Sequence, residues 1–145
     1  IDLGFKYAFG QHSGVVDHTK NYFEMPRFPI NEKYGKIERF NTLLKTLPFP
    51  FKSIKPENRY IDNNNNPPKV IIDFYDNLKN LNNINCFSNE EDKWRNSKIK
   101  FDGKYKLNIN LEGKFITERG RINCSLRENN GFYRWLGIQF VVKEK

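Results

Sequence analysis

Apolar and polar positions divide this chain into three stretches with different rhythms. The opening apolar run of Phe5, Tyr7 and Phe9 predicts a strand. A polar turn bounded by Gly10 and Gly14 follows, and then a return segment from Met25 to Ile30. Pro26 and Pro29 push Met25 and Phe28 toward extended backbone, so this segment is not helical. Next, Tyr34, Ile37, Phe40, Leu44 and Leu47 recur at three- and four-residue steps. That spacing predicts a helix over 31–47 with one apolar face. Asn31 is its candidate N-cap, Glu32 suits the dipole of the first turn, and Pro48 stops it. Its apolar face is expected to pack on a sheet. The whole start, 1–30, reads like the end of a domain, so the chain is expected to be a piece of a larger protein.

From residue 48 the rhythm lapses. Pro48, Pro50, Pro56 and the run Asn63-Asn64-Asn65-Asn66-Pro67-Pro68 predict a linker over 48–69 with little regular structure, and a domain boundary within it. From 70 to 145 the pattern is that of strands. Val70 to Tyr75 is rich in β formers, and Tyr105, Leu107, Ile109 and Leu111 alternate with polar residues at period two. Asp102-Gly103, Glu112-Gly113, Arg119-Gly120 and Asn129-Asn130-Gly131 read as turns, the last feeding a strand from Phe132 to Val142. Further strands are expected over Phe115–Thr117 and Arg121–Leu126. Short strands with frequent turns predict a mainly β fold, with a sandwich or barrel over 70–145.

Composition adjusts this picture in two ways. Of 145 residues, 37% are hydrophobic and 15% aromatic, with 13 Phe, so the core should rest on rings. That content is too high for a disordered chain. The formal charge is +8, but the 25 Lys and Arg are scattered. A basic balance suits nucleic acid, anionic glycans or an acidic membrane surface. No Walker loop, zinc-finger spacing or RNP-type motif is present, so a solvated basic surface and no nucleic-acid partner are expected. No run reaches the roughly 18 apolar residues of a membrane span. No leader is visible, and in a piece of a larger protein that says nothing about secretion.

Candidate chemistry is sparse. His12 and His18 are the only two histidines and flank Asp17. Their spacing suits no single helical face, so they read as loop histidines rather than metal ligands. Glu90-Glu91-Asp92 lacks the ligand spacing and turn glycine of a calcium loop and reads as a solvated loop. Cys86 and Cys124 lie in strand-like contexts; they form either one disulfide across a sandwich or two buried thiols. Tyr133 and Trp135 share one face of the last strand. With Trp94 they make a candidate aromatic platform for a sugar ring, the alternative being that Trp135 fills the core. No Ser/His/Asp order, Cys/His pair or paired carboxylates can be assembled, so a self-contained enzyme is not expected.

Ala8-Phe9-Gly10-Gln11-His12-Ser13-Gly14, followed by Met25-Pro26-Arg27-Phe28-Pro29-Ile30-Asn31-Glu32, Tyr34-Gly35 and Arg39-Phe40, resembles the last part of the polysaccharide deacetylase (NodB-like, carbohydrate esterase family 4) catalytic domain. Met25 stands where that family more usually has Leu. Ile84-Asn85-Cys86-Phe87, Arg121-Ile122-Asn123-Cys124-Ser125 and Gly131-Phe132-Tyr133-Arg134-Trp135 through Gln139 resemble the C-terminal β-module of some of its members.

The resemblance implies that 1–47 is the last strand, closing segment and final helix of an incomplete (β/α) barrel. Residues 48–69 would be a linker and 70–145 an appended β-sandwich. It implies a parent hydrolase that removes acetyl groups from N-acetylated sugars, using a divalent metal, typically zinc, held by an Asp and two His. Those ligands lie upstream of the barrel's last strand, so this chain would hold neither catalytic residues nor a metal of its own. Arg27 matches the Arg of the closing segment, where it orients a carboxylate of the complete barrel or seals it, and His12 lies in the same closing region. The implied partners are a polysaccharide and the missing N-terminal barrel; the implied location is the cell envelope or outside the cell. Residues 1–30 are expected to be the least ordered part of the isolated chain, or to be completed by a partner, because Phe5, Tyr7 and Phe9 would lack neighbours. Two other readings compete: a free-standing carbohydrate-binding or adhesion β-sandwich, and a basic nucleic-acid module, which would need a contiguous Lys/Arg face.

Overall fold

A computed structural model of the chain describes residues 3–143. Its strands are β1 (Thr46–Pro48), β2 (Phe51–Lys55), β3 (Tyr60–Ile61), β4 (Val70–Phe74), β5 (Asn85–Glu90), β6 (Lys93–Asn96), β7 (Lys98–Asp102), β8 (Lys106–Asn110), β9 (Arg119–Arg127) and β10 (Tyr133–Val142). The fold is mainly β, in two sheets and with no closed barrel among the described residues. The larger sheet runs β1-β10-β9-β5-β6, with β3 also on β10, and the smaller runs β2-β4-β8-β7. Ile122, Cys124 and Leu126 of β9 and Leu136, Ile138 and Phe140 of β10 turn inward. Val70, Ile72 and Phe74 of β4 and Leu107 and Ile109 of β8 join them in a single core. As the composition suggests, rings anchor it: Phe49 stacks on Phe74 and Phe115 on Phe140.

The period-two segment around Leu107 and Ile109 is β8, and Asp102-Gly103 turns β7 into it, with Gly103 at φ 72°. The turn before β10 ends on Gly131 at φ 82°. Arg119-Gly120, in contrast, is not a turn but the start of β9. Gly120 is there because a Cβ would sit 2.1 Å from the Phe115 ring. Phe115–Thr117 forms no strand; Phe115 is a core residue held by Asn66, whose side chain accepts from its N–H and donates to its C=O.

The segment 48–69 is not an unstructured linker. It holds the end of β1, all of β2 and β3, and the core residues Phe49, Ile54 and Ile61. Pro48 fits because β1 is an edge strand, where a missing N–H costs no ladder bond, and the other prolines of the segment lie between strands. The helix is shorter than 31–47: α1 covers Ile37–Leu44. Asn31 instead closes a tight turn, accepting from the Tyr34 N–H with both its carbonyl and its side chain. Lys36 is extended, at ψ 138°. Beyond α1, Thr46–Pro48 leaves the helix to pair in parallel with Tyr133–Trp135. The helix buries none of its residues, so its apolar face does not pack on a sheet.

Cys86 and Cys124 form a disulfide, and they are directly opposed on β5 and β9 within one sheet rather than across the two. Glu90 of the acidic run is not solvated either. It is 1% exposed and accepts from the Ser88 hydroxyl and from the N–H groups of Glu112 and Gly113. Glu91 and Asp92, at φ 52° and 59°, make a two-residue hairpin turn closed by Glu90 and Lys93.

Residues 3–30 contain no strand; the expected strand at Phe5–Phe9 is reduced to an isolated bridge between Phe9 and Met25. This arm folds on itself through Ala8 N–H to Tyr22 C=O, Gly10 N–H to Met25 C=O and Met25 N–H to Ala8 C=O. Met25 is buried, whereas Phe5, Tyr7 and Phe9 are 73%, 57% and 61% exposed. The arm reaches the larger sheet through a bridge from Gly14 to Leu136. Ser13 crosses Gly137 so closely that a Cβ there would lie 2.2 Å from the Ser13 carbonyl oxygen.

Candidate functional site

Two features of the larger sheet converge on β10. The first is a cleft of about 330 Å³ between the arm and the edge of β10. β1 pairs with Tyr133–Trp135 and β3 with Val141–Val142, which leaves the middle of that edge to the arm. The walls combine Phe49, Phe51 and Ile54 with His12, Arg59, Trp135 and Gln139. Asp17, Lys20, Glu24 and Glu57 complete the charged lining. Three polar atoms in these side chains are shielded and have no hydrogen-bond partner among the described residues: Arg59 Nη1, Trp135 Nε1 and Gln139 Oε1. A shielded polar group without a partner is uncommon and costly, so three around one cleft mark it as a place where polar groups await a partner.

Electrostatics in the cleft follow from burial. His12 is held below its ordinary value of 6.5 because burial disfavours the imidazolium; Glu24 opposes this and Arg59 adds to it. The ring is therefore neutral at pH 7. Arg59 is likewise lowered by burial, offset by Glu24 and Glu57. Asp17 is lowered, although burial pushes it up, because the Thr19 N–H and hydroxyl donate to it and Lys20 and His18 are close. Lys20 donates to the Phe51 carbonyl over that ring. His18 is exposed and lies outside the cleft. Among the described residues no three His, Cys, Asp or Glu side chains are grouped to hold a metal ion. Arg27 is exposed and donates from Nε to the Gly10 carbonyl, which clips the arm's turn.

The second feature is the outer face of the same sheet. Trp135 is not in the core. It lies on the face opposite Leu136 and Ile138, edge-on to Phe28 at 5.7 Å between ring centres. Strand alternation puts Tyr133 on that face too, under the Arg127 guanidinium. Register carries the face across the sheet: Trp135 opposes Ser125, which opposes Asn85; Gly137 opposes Asn123, then Phe87, then Asn96. Trp94, two residues before Asn96 on β6, shares it. Trp94 is 51% exposed and Phe87 42%. With strands about 4.8 Å apart, β6 and β10 are about 14 Å apart. The structure thus brings the three sequence-identified rings, Trp94, Tyr133 and Trp135, onto one face, though not into one cluster.

Sequence reading missed Arg59, Gln139 and Phe87. Gln139 and Trp135 are two positions either side of Gly137, a spacing visible in the chain once β10 is recognised as a strand. Arg59 had no such signal, since the segment holding it was read as a linker. Comparison with protein-family models, with curated proteins and with solved structures finds no match to this chain.

Proposed function

We propose that this chain is a carbohydrate-binding β-sandwich module that holds a glycan on the outer face of its larger sheet, with the cleft at the β10 edge receiving one end of the ligand. The observation that carries this is the placement of Trp135: it leaves the core for a face that also displays Trp94, Phe87 and Tyr133. Sugar C–H faces pack on such rings, while Asn85, Asn96, Asn123, Ser125 and Gln139 offer amide and hydroxyl groups to sugar hydroxyls. The unpartnered Trp135 Nε1 and Gln139 Oε1 link this face to the cleft. Trp94→Ala removes an exposed ring with little effect on the core, so it is expected to weaken glycan affinity about tenfold or more with unchanged thermal stability. Titration calorimetry against a panel of polysaccharides checks this; unaltered affinity in Trp94→Ala and Tyr133→Ala alike would remove the platform.

A second reading rests on the exposure of Leu3, Phe5, Tyr7 and Phe9 on the arm. An apolar row left in water suits a surface that packs against something else. In this reading residues 1–47 are the closing segment of a NodB-like deacetylase barrel, and the two-sheet unit is its appended module. The expected result is that a chain extended by its natural upstream sequence releases acetate from an N-acetylated glycan, with divalent metal required, while residues 1–145 alone release none. Acetate release by residues 1–145, or none by the extended protein, overturns this reading.

A further inference from the structure

Resting on the glycan-binding reading, we infer that the glycan is acidic, an uronate- or sulfate-bearing polysaccharide, held by the guanidinium groups of Arg119, Arg121 and Arg127 along β9. These arginines occupy alternate positions of a strand whose other alternate positions, Ile122, Cys124 and Leu126, are buried. They therefore share the outer face with the rings, and β9 is the sheet's central strand. No strand position on that face of β5, β6, β9 or β10 holds a carboxylate.

Elsewhere on the molecule four carboxylates are engaged in ion pairs. The four ion pairs among the described residues join Lys52 to Asp76, Arg95 to Glu91, Lys98 to Glu112 and Arg134 to Glu128. None involves a β9 arginine. Arg119 donates to the neutral amide of Gln11, Arg127 lies over the Tyr133 ring, and Arg121 Nε has no hydrogen-bond partner among the described residues. Arg121 is directly opposed by Gln139, whose Oε1 is also unpartnered. Asp92 and Glu118 border the Arg119–Arg121 end of the face, in a groove of about 380 Å³, without pairing to either arginine. The acidic groups are therefore placed chiefly on Arg121 and Arg127, with Arg119, already engaged by Gln11, at the outer end of the row. A guanidinium fork matches a planar carboxylate or two sulfate oxygens, and a partly shielded one is not fully quenched by salt.

An amide and a hydroxyl lie between Arg121 and Arg127, in Asn123 and Ser125, and no strand position on the face holds a lysine. That mixture suits a hydroxyl-dense polymer with spaced charges better than a phosphate at every unit, so a polysaccharide is favoured over a single-stranded nucleic acid.

The test is calorimetric titration of the chain with four polymers: a neutral glucan, an uronate polymer, a sulfated polysaccharide and single-stranded oligo-U. The uronate and sulfate arms separate the two sources of charge. The expected result is that at least one acidic polysaccharide binds at least about tenfold more tightly than the glucan, because a hydrogen bond to a charged group is worth more than a neutral one. That preference should shrink between about 50 mM and about 500 mM salt. Arg121→Gln with Arg127→Gln should erase the preference while leaving glucan binding in place, and Trp94→Ala should weaken both. The wild-type salt series needs no variant to fold. Equal binding of neutral and acidic polysaccharides overturns the inference and leaves the glycan reading standing. Binding of no polysaccharide overturns both, and binding of oligo-U alone overturns both in favour of a nucleic-acid module.

Discussion

Replacing Cys86 and Cys124 together by alanine is expected to lower the unfolding free energy by about 4 kcal/mol, the chain-entropy value for a bridge closing a loop of this length. The two residues are 38 apart in sequence and directly opposed, with Cα atoms 4.1 Å apart. The bridge joins β5 to β9, and among the described residues β9 is the strand through which the β5–β6 hairpin pairs with the rest of the larger sheet. β5 pairs with β9 over Asn85 to Ser88 only, so few ladder bonds remain to hold the hairpin once the bridge is gone. Because the hairpin carries Phe87 and Trp94, the loss reaches the proposed glycan face as well as stability. Urea unfolding with and without reductant checks this. Reductant should shift the wild-type midpoint down to that of the double alanine variant and leave the variant unmoved. A wild-type midpoint indifferent to complete reduction would show that the bridge contributes nothing.

What was legible in the sequence follows a physical rule. The strand around Leu107 and Ile109 is half-buried, so its period of two is written in the residues. Gly103 and Gly131 sit at positive φ, where glycine is the natural choice. Gly120 looks the same in sequence but is there for space under the Phe115 ring, a reason that only tertiary contact supplies. The Glu91-Asp92 turn was hidden because glutamate is seldom found in left-handed backbone. β1 and β2 were hidden by Pro48, which an edge position tolerates, and by prolines that lie between strands. The apolar spacing of Ile37, Phe40 and Leu44 was read correctly as helical, yet it did not disclose that the face would stay exposed. Likewise Tyr133 and Trp135 could be placed on one face from alternation, but which side that face met depended on the register of β9 and β10.

Glu90→Ala is expected to be about as damaging as loss of the disulfide. The Glu90 carboxylate is 1% exposed and receives three donors: the Ser88 hydroxyl and the N–H groups of Glu112 and Gly113. Alanine leaves one buried and one partly buried backbone donor unpaired, at about 1–3 kcal/mol each, for a loss of about 4 kcal/mol. Glu90→Gln keeps one oxygen acceptor and most of the shape, and should cost about 2 kcal/mol by exchanging charge-assisted bonds for neutral ones. The same residue explains how two parts of the chain stay together. Its oxygen fixes the 112–113 turn that follows β8 of the smaller sheet, and the neighbouring Glu91 N–H donates to the Lys114 carbonyl. Glu90 thus ties the tip of the β5–β6 hairpin to a loop between the two sheets, and Trp94 is four residues further on. Both variants should therefore lose protection of the Glu91, Glu112 and Gly113 amides in hydrogen exchange before the β9–β10 ladder opens. Urea midpoints for the two variants measure the ranking directly: Ala well below Gln, and Gln below wild type. If Glu90→Ala unfolds within about 1 kcal/mol of wild type, the carboxylate does not hold that turn.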